Sequence, residues 1–535
     1  MSRFIADWAL RSPSDKVLEP SAGEAIFLLA AAERLGALSA LRSPNDPPPE
    51  LHGVELHPAS ARAAEQVLAR TGLQGSVRLA DFFEVEPEPV YDAVIGNPPY
   101  IRYQSFTGAV RAKAMKAALA QGVRLTGLAS AWAPFTVHAT RFLKPSGRLG
   151  LVLPAELLSV NYAASVRRFL LERFGRVRLV MFEELVFPGV LEEVVLLLAE
   201  GQGPAPTFEV YQARSLEDLE QIEKAAVWTW FTPERDGKWT PALLSSGALD
   251  AYRALEEVGG FEQLLEWGDT YLGSVTGNNR FFTLTADEAR ALNLTKKELR
   301  AISPPGSRHL RGLTFSEQAW EQQAADGAAA YLFYPDDYPS AAARDYIKAG
   351  EKDNVHKAYK CRVRSPWWRV PVVKVPDLLL TYMDHERPRL VTNDAKVLHL
   401  NSLYGVLLRA DRRELGRELL PLAVLNSATL LGAEMVGRAY GGGLLKLEPK
   451  EADKLLVPSL DTIEASADEL RKVRAQVGRL LRQGKLMEAV AIVDRILLSS
   501  SLSVSYASLK AIRDAREVLF QRRSTRGKGQ CANGR

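Results

Sequence analysis

The stretch VIGNPPYIRY, residues 94–103, runs from an apolar segment into Asn97, Pro98, Pro99 and Tyr100. Two successive prolines cannot continue a central strand, because each lacks an N–H and has a fixed φ. The pattern predicts a buried strand ending in a rigid loop that presents an amide and an aromatic ring, groups that hydrogen-bond and stack. Three acids, Glu19, Glu55 and Asp81, follow other short apolar runs in the same way. A carboxylate at the second strand end can accept hydrogen bonds from both hydroxyls of a ribose. One at the third can accept from an adenine amino group. The Ala22-Gly23 turn lets backbone come close to a ligand. Taken singly, each acid reads more often as a helix cap or a solvated turn. Their order along the chain describes a pocket for an adenosine without a phosphate tail. The turn PSAGE is neither GxGxxG nor a P-loop with its lysine, so a nucleoside triphosphate is not indicated.

The elements that must position these residues are short strands alternating with helices. Lys16–Leu18 is a brief apolar run, and EPSAGEAIFLLAAAERLG turns into a helix that stops at Gly36. LHGVELHP, SVRLADFFEV and YDAVIGNPPY give the next strands, with the helical ASARAAEQVLARTG between the first two. GRLGLVLPAELL, VRLVMFEE and EEVVLLLAEG follow. This alternation predicts an α/β, doubly wound parallel sheet over residues 1–215. Ligands of such sheets bind outside the carboxyl ends of the strands, which is where the four polar positions fall.

The chain has 535 residues, enough for two or three domains, with 47% hydrophobic and 25% charged residues. A net charge of +4 neither demands nor excludes nucleic acid. Two distant cysteines, Cys361 and Cys531, argue against a disulfide framework or cysteine zinc site and fit a reducing cytosol. The seven histidines show no HxxxH or HExxH spacing, so no protein-bound catalytic metal is expected. No apolar run is long enough to cross a bilayer, and the N-terminus lacks a signal-peptide pattern.

Residues 1–215 resemble the S-adenosylmethionine-dependent DNA adenine-N6 methyltransferases that place the catalytic region first and the target-recognition region last. VLEPSAGE is similar to the family's motif I, GVELHP to motif II, ADFF to motif III and NPPY to motif IV. The resemblance implies S-adenosyl-L-methionine as cofactor, held by Glu19, Pro20, Ser21, Ala22, Glu55, Asp81, Phe82 and Pro99. It implies a catalytic set of Asn97, Pro98, Tyr100 and Phe187. Exocyclic N6 of adenine is a weak nucleophile because its lone pair is delocalised. The Asn97 side-chain oxygen and the Pro98 carbonyl would accept its two N–H groups and expose that lone pair. Tyr100 would stack on a base flipped out of the duplex, and Phe187, in the loop LVFPGV, would cover its other face. The family carries an earlier segment with a Thr-Pro that closes over the methionine end of the cofactor, and MSRFIADWAL resembles its tail.

Residues 216–260 read as a linker, 261–460 as a mixed α+β target-recognition domain, 461–520 as packing helices and 521–535 as a disordered basic tail. AYKCRVRSPWWRVP, residues 358–371, sets Lys360, Arg362, Arg364 and Arg369 around Trp367 and Trp368. Cations for phosphate and rings for exposed bases are what a DNA face needs, so these six are the candidate DNA-binding residues. A Trp-rich core segment with solvated arginines is the competing reading. The Gly run in GRAYGGGLLKLEPKEADKLLVP, residues 437–458, would permit close backbone approach. The expected partners are double-stranded DNA and a separately encoded cognate endonuclease, with the enzyme itself a cytoplasmic monomer. Two other readings stay open here. One is methylation of a protein glutamine or an RNA adenine, and the other is a non-catalytic DNA-binding subunit.

Overall fold

The computed structural model describes residues 1–182, 186, 193–220, 222, 229–233, 237–440 and 443–531. Contacts divide the chain into two compact units, Met1–Leu243 and Leu244–Arg535.

The first unit is built on a nine-stranded sheet. Its strands are β1 (Lys16–Glu19), β2 (Glu50–Glu55), β3 (Gln74–Leu79), β4 (Tyr91–Gly96), β5 (Leu143–Pro154), β6 (Arg176–Phe182), β7 (Val194–Glu200), β8 (Phe208–Ala213) and β9 (Thr229–Phe231). They lie in the order β3-β2-β1-β4-β5-β7-β6-β8-β9. The first five positions are parallel, as the strand–helix alternation predicts. The sheet as a whole is mixed, because β7 runs antiparallel to both β5 and β6. Residues 183–193 between β6 and β7 are too few for the helical crossover that a parallel pair needs. Helices α1 (Ser2–Ala9), α2 (Ile26–Leu38), α3 (Pro58–Ala69), α4 (Gly108–Leu119) and α5 (Trp132–Ala139) belong to this unit. Ile5 of α1 sits so close to β5 that a Cβ on Gly150 would lie 2.5 Å from its Cγ2. The order reverses between β1 and β4, so their carboxyl ends flank a crevice at the switch point.

The second unit holds a five-stranded sheet of Gly268–Leu272, Tyr404–Leu408, Leu378–Leu380, Leu390–Asn393 and Thr314–Phe315, in that order, with smaller sheets beside it. Leu470, Val477, Leu486 and Val493 share one core with Leu378, Tyr404 and Leu419. The helices after residue 461 therefore cover the same core as the preceding sheet. A sheet face of this composition must be covered by some element.

The stretch expected to be a linker is structured at both ends: Thr229–Phe231 is the edge strand β9, and Ser246–Glu257 is a helix capped by Ser245. The expected disordered tail, residues 521–535, is contradicted over its described part, residues 521–531. A helix runs over Tyr506–Cys531, and Arg523 is only 3% exposed. Its guanidinium donates to both Glu434 carboxylate oxygens at 2.9 and 2.6 Å, and to the His385 and Gly443 carbonyls. A buried arginine persists only when so paired. Among the described residues no single helix is long and apolar enough to cross a bilayer.

Candidate active site

Glu19 ends β1 and is buried, with Pro20 and Ala22 buried beside it and Ser21 half-buried. Its carboxylate accepts from the Leu28 N–H at 3.0 Å, in the first turn of α2. Burial holds the Glu19 carboxyl well above the usual carboxylate range, with Glu55 adding to the effect and hydrogen bonds from Leu28 and Phe27 opposing it. Ala22 N donates to the Val54 carbonyl at 2.9 Å, which ties the turn after β1 to β2. Gly23 has φ +52°, and a Cβ there would meet no atom within 4 Å. The turn is therefore a cradle open on one side.

Glu55, at the end of β2, accepts from the Gly23 N–H and the His57 N–H, both at 2.8 Å. These bonds orient the carboxylate. A carboxylate has about four acceptor positions, so roughly two remain for donors of a ligand. Asp81 follows β3 and accepts from the Phe83 N–H at 3.1 Å. Phe82 points into an aromatic cluster, its ring centroid 4.7 Å from Phe135, 4.8 Å from His138 and 5.0 Å from Phe142. Burial lowers the His138 imidazole to about 4, so it is neutral and donates from Nε2 to the Phe82 carbonyl.

The Asn97–Tyr100 loop follows β4 directly. Ser21 Oγ donates to the Asn97 carbonyl at 2.9 Å, which joins the cradle after β1 to this loop. The Asn97 residue is exposed, Pro98 is buried, and Pro99 and Tyr100 are half-buried. Tyr100 OH donates to the Val152 carbonyl of β5 at 2.9 Å, so its ring is held at the crevice. Ala131 N donates to the Ile101 carbonyl at 2.9 Å, fixing the loop from its other end. Phe187 lies outside the described residues.

Two features of this edge had weak sequence signals. Leu56, next to Glu55, is a large apolar side chain left 57% exposed at the strand end. Its only sign in the sequence is an apolar residue where a turn should be polar. At the end of β5, Trp132 Nε1 donates to Glu156 at 3.2 Å and to Tyr162 OH at 3.1 Å, and Tyr162 OH bonds Glu156 in turn. Trp132 lies 24 and 30 residues before the two residues it meets there.

In the second unit the candidate DNA-binding residues are not all presented outward. Lys360 and Arg362 are exposed on a short helix, Tyr359–Arg362. Arg364 lies over the Phe282 ring at 5.3 Å and donates to the Thr276 carbonyl. Arg369 lies over Tyr334 at 5.6 Å and pairs with Asp337 at 2.8 Å. Trp367 and Trp368 are half-buried against the cluster of Phe281, Phe282 and Phe333. Trp367 Nε1 also donates to Glu351. The segment is a turn with its rings packed inward, because planar guanidinium groups and indoles find partners on the neighbouring aromatic faces.

Comparison with known proteins finds two family matches along the chain. Residues 72–187 match the family described as Eco57I restriction-modification methylase, and residues 236–498 match that of the type II methyltransferase M.Eco57I, C-terminal domain. The chain is 25% identical to the type II methyltransferase M.XamI of Xanthomonas campestris pv. amaranthicola, over 86% of this chain and 84% of that protein. It is 22% identical to M.AccI of Acinetobacter calcoaceticus, over 79% of each. Among solved structures, the type IIG restriction endonuclease BpuSI aligns with a TM-score of 0.43 and 15% identity, over 97% of this chain and 64% of that enzyme's length.

Proposed function

We propose, from the premise that this chain belongs to the type II DNA methyltransferases of the Eco57I group, that it methylates N6 of a specific adenine. The duplex delivers that adenine flipped into the crevice between β1 and β4. The observation that carries the reading is the Ser21–Asn97 hydrogen bond, which sets the cofactor cradle and the Asn97–Tyr100 loop at one mouth. S-Adenosylmethionine supplies an electrophilic methyl on a sulfonium. Its adenosine end fits the residues present: Glu55 for the ribose hydroxyls, Asp81 for the adenine amino group, and the open turn at Ala22-Gly23 for close backbone approach.

The chain's own groups then act on the base. The Asn97 side-chain oxygen and the Pro98 carbonyl accept the two N–H groups of N6. This draws the nitrogen toward a tetrahedral shape and exposes its lone pair. The fixed φ of Pro98 keeps its carbonyl in place without a conformational search. The Tyr100 ring, held by its bond to Val152, supports the flipped base by stacking worth about 1–3 kcal/mol. A cognate endonuclease, encoded separately, would complete a restriction–modification pair.

Single-molecule sequencing of DNA from cells expressing the protein tests the reading. N6-methyladenine at one recurrent sequence is expected. Methylation on cytosine, or none in DNA, would overturn it.

A further inference from the structure

From Ala93 to Ala155 the sequence contains no aspartate or glutamate, yet it carries eight lysines and arginines. The whole chain is nearly balanced, with 68 basic and 64 acidic residues. So long an acid-free run is a local asymmetry, and it begins at the strand that leads into the Asn97–Tyr100 loop.

The structure makes the middle of this run a fixed projection. Residues 101–131 leave the catalytic loop and return to it, since Ala131 N donates to the Ile101 carbonyl. Phe106, Ala114 and Ala131 form its own small core, with Phe83 and Met115 packed against them. Two of its cations serve the projection itself. Arg111 bonds the carbonyls of Phe106 and Gly127, and Lys113 pairs with Glu84 and lies 3.8 Å from Asp81. Lys116, in the last turn of α4, and Arg124, in the following loop, are exposed. Neither has an acidic partner within salt-bridge distance among the described residues. Arg102 is also exposed, one residue from Ile101.

We infer that residues 101–128 are a phosphate-binding ridge of the catalytic unit, with Lys116 and Arg124 contacting the DNA backbone beside the flipped nucleotide. The inference rests on the DNA methyltransferase reading and deepens it. Lys116 and Arg124, exposed cations with no acid to neutralise them on a rigid support, attract polyanions. Tethering at Ile101 sets which phosphates are reached: those that flank the base held by Asn97 and Tyr100. Contacts of this kind fix position on the duplex and carry no sequence information.

The test uses the full chain with Lys116→Ala and Arg124→Ala combined, and a milder pair, Lys116→Gln with Arg124→Gln. Binding to a fluorescent DNA duplex is measured against salt concentration. The log–log slope should become shallower by about 0.9 per lost contact, on cognate and arbitrary sequence alike. Affinity for S-adenosylmethionine and the melting temperature should stay as in wild type. Ethylation interference should show that the phosphates no longer needed by the variant flank the methylated nucleotide. A wild-type slope, or phosphates remote from that nucleotide, would overturn the inference. If the ridge instead served RNA or an acidic protein, the variants would bind the DNA duplex normally, which also overturns it. Methylation of a base other than adenine would sink the functional reading yet leave the slope result intact, so the two failures are distinguishable.

Discussion

Lys116 and Arg124 stand on the surface of the first unit, whereas Arg364 and Arg369 in the second unit lie against the rings of Phe282 and Tyr334. Both stretches are basic in sequence. What separates them is their neighbours. The segment around Trp367 is dense in aromatic faces and has Asp337 within reach, so its guanidinium groups find partners inside the unit. The run from Ala93 to Ala155 offers no carboxylate of its own, so those of its cations that bond use backbone carbonyls, as Arg111 does, or acids outside the run, as Lys113, Lys144 and Arg148 do with Glu84, Asp92 and Glu200. Counting cations locates a basic stretch; counting the partners around them shows which cations remain for a ligand.

The largest effect that sharpens this comparison is on the deepest arginine. Arg523→Ala leaves Glu434 buried without its partner and strips the Gly443 carbonyl of a donor. A loss of about 3–5 kcal/mol in urea unfolding of the full chain is expected. A change below the error of the measurement would mean that this arginine is not structural. Asn97→Ala lies at the other extreme. Asn97 is exposed, so stability should hold while methyl transfer falls by at least about 10²–10³-fold, comparable with removal of one acceptor or donor that acts on the transition state. Cofactor affinity should change only a few fold. Near-normal turnover would displace the Asn97–Tyr100 loop from its catalytic role.

Glu55 sits between these extremes, because it orients backbone and, in the function proposed here, also meets the cofactor. Glu55→Ala should weaken S-adenosylmethionine binding by roughly 1.5–3 kcal/mol per lost hydrogen bond, read by calorimetry. A smaller fall in melting temperature should accompany it, since the Gly23 and His57 N–H groups also lose their acceptor. Unchanged cofactor affinity would leave Glu55 as a cap and nothing more. The neighbouring Glu19 gives a pH signature. Its folded-state carboxyl is held above the ordinary value of 4.5, chiefly by burial. Below 4.5 it is neutral in both folded and unfolded chains. As pH rises above that value the unfolded chain ionises first, so stability declines until the folded group ionises too. Urea unfolding across this window should show a decline that Glu19→Gln reduces. Equal pH profiles for the two proteins would argue against a buried, neutral Glu19.

The strand ends were legible in the sequence because each is local. An apolar run, a turn and a polar residue lie within a few positions of one another, so Glu19, Glu55, Asp81 and Asn97 could be placed on one edge before any packing was known. The antiparallel β7 was missed because a buried strand reads the same in either direction, and its one sign in the sequence is the short connection from β6, residues 183–193. The inward turn of Trp367 was hidden for another reason. Its partners Phe281 and Glu351 come from separate elements, and alternation of basic and aromatic residues does not reveal which face is covered. Arg523 was misjudged in the same way: its Glu434 lies 89 residues away, so the tail looked like an unpaired basic run.

The smallest effects divide the candidate DNA-binding segment in two. Lys360 and Arg362 are exposed, and both lie near the exposed Tyr359 ring, at 5.7 and 6.0 Å from its centroid. Arg364 and Arg369 are half-buried and already bonded. Lys360→Ala with Arg362→Ala should leave melting unchanged and flatten the salt dependence of DNA binding, by about 0.9 in log–log slope for each cation that meets a phosphate. Arg364→Ala with Arg369→Ala should do the reverse. Each lost contact over a ring is worth about 0.5–1 kcal/mol, so a modest fall in stability is expected with the slope intact. The pairs serve as controls for each other, because all four changes remove one positive charge from the same short segment and differ only in what the charge touches. If the second pair flattens the slope and leaves stability alone, Arg364 and Arg369 leave their rings to meet DNA, and the distinction between inward and outward cations fails for this unit.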